Sequence, residues 1–184
     1  MRYTLLFAGL LAFYSAFASA SNDTGELAAK RYLYSQVNLG LLVGVGNSGK
    51  RNYSRADFGY KSYKPTSSTG FYTQKTCRFI NIDHIVSLKD AYDSGADSWS
   101  AFKKSEFAND RSNHVPSCGR VNYAKGSAVP KHFLRRSTDG NGLEYQIVRF
   151  CEYVQKYHSV KVEYGLSFNG NSRVIFARCG IAIK

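Results

Sequence analysis

Apolar positions recur in this chain with two periods, and the change of period marks out its elements. Thr76–Val86 alternates, with Phe79, Ile80, Ile82 and Ile85, and predicts a strand running into a loop. Asn113–Cys118 predicts a second, short strand. Between them lie two predicted helices, Leu88 to Ser94, ending at Gly95, and a longer one from the N-cap candidate Ser98 to Ala108. A helical turn is expected at Arg120–Lys125. The clearest helical stripe is Leu143, Ile147, Phe150, Cys151 and Val154, which predicts a helix over Leu143–Tyr157 with Glu152 and Lys156 paired on its outer face. Ser172–Ile183, containing Val174-Ile175-Phe176, reads as a final strand. The Tyr-, Ser- and Lys-rich residues 52–72 suggest turns and short strands. Upstream, Glu26 to about Val37 reads as a helix and Leu39–Lys50 as a glycine-rich segment.

The first twenty residues have a different character. Arg2 precedes an apolar run from Leu5 to Phe13, and small residues end in Ala18-Ser19-Ala20. These are the parts of a secretory signal peptide, with cleavage expected after Ala20 and Ser21 as the first mature residue. The run is shorter than the ~20 residues that a bilayer requires, and no later stretch is apolar and long enough to span one. A secreted or periplasmic location follows as an expectation. Cysteine usage agrees: Cys77, Cys118, Cys151 and Cys179 form an even set without a C-x-x-C spacing, which favours two disulfides over a zinc site. Four cysteines admit three pairings.

Composition then narrows the class. The chain has 184 residues, of which 43% are hydrophobic and 21% charged, proportions of a globular chain with one main domain. The division expected is 1–20 signal peptide, 21–52 N-terminal helix and glycine-rich segment, and 53–184 a folded domain. Lys and Arg number 25 against 13 Asp and Glu, a formal net charge of +12. Such an excess implies a polyanionic partner, either nucleic acid or an anionic envelope polymer. The charge is uneven. Residues 83–110 hold six acids against three lysines, while the stretches on both sides are strongly basic. Gly44-x-Gly46-x-x-Gly49 and Gly44-x-x-x-x-Gly49-Lys50 imitate nucleotide-binding loops. Arg51 stands where a phosphate loop needs Ser or Thr, and no strand–helix unit follows, so no site is assigned there.

Candidate chemistry concentrates in Asn81-Ile82-Asp83-His84-Ile85-Val86, Asn109-Asp110-Arg111-Ser112-Asn113-His114-Val115 and Val121-Asn122-Tyr123-Ala124-Lys125-Gly126. Hydrolysis of a phosphodiester needs a base to take a proton from water, and histidine titrates nearest neutrality. It also needs positive charge on the phosphate, which a hard cation on oxygen ligands supplies; Asp83 and Asn122 carry such oxygens.

Those residues carry a family resemblance. Asp83-His84-Ile85-Val86, a later Asn before an apolar strand, and Asn122-x-x-Lys125-Gly126 resemble the HNH nucleases of the His-Me finger (ββα-metal) class. With Tyr53-Ser54-Arg55-x-x-Phe58-Gly59, Ser94-Gly95-Ala96-x-x-Trp99, Phe107-Ala108-Asn109-Asp110 and Val160-Lys161-x-x-Tyr164-Gly165-Leu166, the run is similar to secreted HNH proteins related to the C-terminal domain of GmrSD-type restriction endonucleases. The resemblance implies an α+β fold with a ββα-metal core at about 79–126, flanking helices and disulfides. It implies His84 as general base, Asp83 and Asn122 as holders of one divalent metal ion, Mg²⁺ being the best match, and Asn113 as the residue that braces the loop and orients His84. Lys125, Arg135 and Arg136 would meet phosphate. If the two strands pair antiparallel, Cys77 reaches Cys118, which leaves Cys151 for Cys179. Ser87 replaces a proline common in the family, and His114 stands where an apolar residue is usual.

The expected activity is an exported, metal-dependent endonuclease acting on DNA, with RNA as a second substrate, and with little sequence specificity. A non-catalytic secreted binder of nucleic acid or anionic envelope polymer is the alternative. A toxin acting on competing cells would share the chemistry and add an immunity protein as partner. No role falls to His132 or His158.

Overall fold

The computed structural model describes residues 52–184; the expected signal peptide, the Glu26–Val37 helix and the glycine-rich segment lie outside the described residues. At the centre are β1 (Ile80–His84) and β2 (His114–Cys118), paired antiparallel with Ile80 opposite Cys118 and His84 opposite His114. The connection between them carries two helices. Ser87 caps α1 (Leu88–Asp93) by accepting the Asp90 N–H at 3.0 Å, and Ser100 caps α2 (Ala101–Asn109) by accepting that of Lys103 at 3.2 Å. The second cap is a correction. Ser98 ends a 3₁₀ turn at Ala96–Ser98, and the helix starts two residues later than the pattern suggested. Directly after β2 comes α3 (Gly119–Lys125), which packs against both strands.

The C-terminal third departs further from expectation. Leu143–Tyr157 is not one helix. Glu144–Gln146 is β4, hydrogen-bonded antiparallel to β3 (Arg136–Thr138), and α4 spans Phe150–Tyr164. Tyr145 and Ile147 are buried while Glu144, Gln146 and Val148 are exposed, a period of two that the wider helical stripe concealed. The helix runs past Tyr157 because Val160 and Lys161 are interior, and it ends at Gly165, whose φ of +66° suits a residue without a Cβ. Ser172–Ile183 is not a strand either: Arg173–Ala177 is a short helix, α5. Strands need an edge to pair with, and this segment instead inserts Phe176 beside Tyr157, with ring centroids 6.0 Å apart.

The core is rich in aromatic residues. Tyr72, Phe133 and Tyr153 meet edge-to-face with centroids 5.0 to 5.7 Å apart, and Phe58, Phe107 and Tyr157 are fully buried around them. One polar cluster crosses this core. Asp90 on α1 accepts from Tyr157 Oη at 2.6 Å, from Lys161 Nζ at 2.9 Å and from Ser94 Oγ at 3.1 Å. Burial draws the Lys161 ammonium below its ordinary pKa and the Asp90 carboxylate opposes this; burial and then Asp90 raise that of Tyr157. Disulfides join Cys77 to Cys118, at the start of the β1–β2 hairpin, and Cys151 to Cys179, tying α4 to the chain beyond α5. This is the pairing expected from the sequence.

Lys161→Met removes the cation from a buried carboxylate. Stability measured by urea unfolding at neutral pH should fall by about 3–5 kcal/mol. A loss below about 1 kcal/mol would match a surface pair and contradict the interior placement.

Candidate functional site

The hairpin brings the predicted residues to one end of β1. Asn113 secures that end: its Oδ1 accepts the Val86 N–H at 2.8 Å, its Nδ2 donates to the Val86 carbonyl at 3.1 Å, and its own carbonyl accepts the Ile85 N–H at 2.8 Å. The amide thus substitutes for strand pairing where the ladder stops. It is fully buried and touches the backbone, so it acts on His84 by fixing the chain that follows it.

His84 is held by its ring. Its Nε2 lies 2.8 Å from the Ala108 carbonyl, and the ring meets Tyr60 edge-on at 4.7 Å between centroids. With the proton assigned to Nε2, the ring nitrogen that faces this carbonyl, Nδ1 keeps its lone pair. His114 packs at right angles, its Nε2 3.0 Å from the same carbonyl and 3.1 Å from His84 Nε2, while Tyr63 Oη lies 3.2 Å from its Nδ1. Burial lowers the His84 pKa to about 3, with the Ala108 carbonyl opposing the shift. At neutral pH the ring is therefore uncharged. Burial lowers His114 as well.

Asp83 faces the other way. Tyr72 Oη donates to its Oδ2 at 2.6 Å, and Lys125 Nζ sits 3.1 Å from the same oxygen and 2.7 Å from the His84 carbonyl. Burial raises the carboxyl above its ordinary range, opposed first by Lys125 and then by the Tyr72 hydrogen bond. Lys125 was expected at a phosphate. It is only 2% exposed, because α3 packs on β1 and its last turn points inward, so its ammonium serves Asp83. Asn122, on the same helix, donates from Nδ2 to Asn81 Oδ1 at 2.9 Å.

Of these residues Asn81, Asp83, His84 and Asn122 line a cleft of about 760 Å³, together with Tyr123; Asn113, His114, Tyr72 and Lys125 stand behind its wall. Arg135 and Arg136 are exposed and do not line it; Arg135 faces a separate hollow of about 550 Å³ with Arg149, Arg178 and Phe150. Sequence reading gave no role to Asn81, although its stretch was singled out, and passed over Tyr72 and the Ala108 carbonyl. Asn81 was findable, since it lies two residues before Asp83 on the same strand face. Nothing local marks Tyr72 or a backbone oxygen.

The donor set is one of hard oxygens. Among the described residues no group of three or more His, Cys, Asp or Glu could hold a metal ion. The Asp83 carboxylate and the Asn122 amide oxygen are the atoms at the cleft suited to a divalent cation of the Mg²⁺ type. Asp83 is already compensated by Lys125, but a carboxylate has about four lone-pair sites and can accept more than two partners.

The His84 environment sets a pH dependence. Its folded pKa lies below the unfolded one, so its contribution is complete above about pH 6.5. The unfolded chain gains a proton first as pH falls, so stability should drop by about 1.4 kcal/mol per unit between roughly pH 6 and 4 from this group alone. Urea midpoints across that range should show the slope, and His84→Asn should flatten it. An unchanged slope in the variant would place the titration elsewhere.

Comparison with known proteins adds a limited finding. An "Uncharacterized secreted protein" of Arthroderma benhamiae is 33% identical over 90 residues, which cover 48% of this chain and 40% of that relative. The matched part of the chain thus spans less than half of the relative's length. No family model matches the chain, and no solved structure does.

Proposed function

We propose that this protein is an exported endonuclease, hydrolysing phosphodiester bonds of nucleic acid with little sequence specificity. One observation carries the reading. A histidine held by its Nε2, 2.8 Å from a backbone carbonyl, lines the same cleft as a carboxylate and two amides. With α1 and α2 inserted between the strands, the succession β1, β2, α3 supports the strand–strand–helix core that the sequence resemblance implies. Support for export comes from the secreted relative and from the Arg2–Ala20 leader. Among the described residues no helix is long and apolar enough to cross a membrane.

In this reading water attacks phosphorus as its proton passes to His84 Nδ1. The new P–O bond forms, the bond to the leaving oxygen breaks, and solvent protonates that oxygen. The Ala108 carbonyl keeps hold of Nε2–H and stabilises the imidazolium as it forms, the role that an acceptor plays behind any histidine base. Asn113 prevents the ring from moving with the loop. Lys125 opposes the rise that burial imposes on the Asp83 carboxyl and fixes its position beside the cleft. A divalent cation, held by Asp83 and Asn122, would supply charge stabilisation at the phosphate.

The same Lys125–Asp83 contact favours the second reading, a secreted binder of nucleic acid, since the carboxylate already has a cation. Incubation of purified residues 21–184 with supercoiled plasmid and with single-stranded circular DNA separates the two. The enzyme should cut in Mg²⁺, stop in EDTA, and lose about a hundred-fold or more of its rate in His84→Ala. DNA retardation without cutting in Mg²⁺ or Mn²⁺ would leave the binder.

A further inference from the structure

The cleft has a neighbour. A groove of about 970 Å³ opens beside the Cys77–Cys118 disulfide, and Phe79, Gly119 and Tyr123 line both cavities. Two aromatic side chains on that shared rim stand in solvent, Phe79 at 70% exposure and Tyr123 at 82%. Phe79 is also seated. Its ring lies so close to Gly119 that a Cβ there would collide with Cδ1, and the Gly119 N–H donates to the Phe79 carbonyl at 3.0 Å. Glycine opens α3 because only a bare backbone admits the ring. An exposed aromatic with its orientation set in advance loses little freedom when something stacks on it.

Position identifies what would stack. Asn81 and Asp83 share one face of β1, and Phe79 stands in the bend just before that strand, its Cα at most roughly 14 Å from that of Asp83. Exposed Lys75 and Arg78 border the groove on the Phe79 side. Asp139, paired with Arg120, and Glu144 line the far side of the groove. Exposed aromatics beside cationic side chains, continuous with a cleft, are the components of a single-strand binding track. A base inside a duplex has both faces covered by its neighbours and cannot offer one to a phenyl ring.

We propose that Phe79, seated on Gly119 and flanked by Tyr123, is a stacking platform for an unpaired nucleobase, which makes single-stranded nucleic acid the substrate class of the cleft. The proposal rests on the nuclease reading for its catalytic meaning. Stacking tolerates any base, since each has a π face, so the platform accounts for low sequence specificity as well.

Binding without cutting provides the test. In EDTA, with the His84→Ala protein as host, a labelled oligonucleotide and its blunt duplex are titrated by fluorescence anisotropy. The single strand should bind more tightly. Adding Phe79→Ala should weaken single-strand binding about ten-fold while duplex binding stays within about two-fold, and Phe79→Trp should retain affinity. Gly119→Ala, which displaces the ring, and Tyr123→Ala should shift single-strand binding in the same direction. Equal losses for both polymers, no loss, or displacement of the strand by a neutral oligosaccharide would overturn the platform. Either reading can fail alone: cleavage by the wild-type protein without a Phe79 effect removes only the platform, and a Phe79 effect without cleavage removes only the nuclease.

Discussion

The contact between Lys125 and Asp83 is the constraint on which the site depends. It joins the end of β1 to the last turn of α3 inside the protein, with Tyr72 as a third partner. Neither charge could remain there alone, because an isolated buried ion costs several kcal/mol. One ammonium therefore sets the separation of β1 and α3 and also holds the His84 carbonyl. Asp90 and Lys161 repeat the device between α1 and α4. Aromatic burial supplies most of the driving force, whereas the two ion pairs select which ends of which elements meet.

These pairs change the meaning of the acidic segment at residues 83–110. Asp83 and Asp90 are interior acceptors, and Asp110 accepts from Tyr164 Oη at 2.7 Å. Asp93 is paired with Lys89, so at least four of the six acids serve inward or partnered roles. Fewer carboxylates face solvent near the cleft than the linear charge pattern implies, which suits a polyanion.

The hairpin is fastened at both ends. Cys77–Cys118 closes the end where Ile80 faces Cys118, and Asn113 with the His84–His114 pair closes the other. Between these fixed points Asn81 and Asp83 have little freedom, and the rim carrying Phe79 begins at the disulfide end. A cleft floor held this way keeps its geometry without ligand, which is the condition for pre-organised electrostatics.

What the residues determined alone were the features set by near neighbours. The alternation over Ile80–His84, the helix from Leu88, the short α3 turn and the Asp83-His84 pair were legible because periodicity acts within a few residues. The disulfides followed once antiparallel pairing was assumed. Tertiary structure alone decided the rest. Glu144–Gln146 became a strand because β3 offered an edge, and Ser172–Ile183 became a helix and coil because no edge was offered. Lys125 turned inward because Asp83, forty-two residues earlier, waited there. A long side chain's partner is chosen by packing across the core, and no local pattern records which carboxylate that will be.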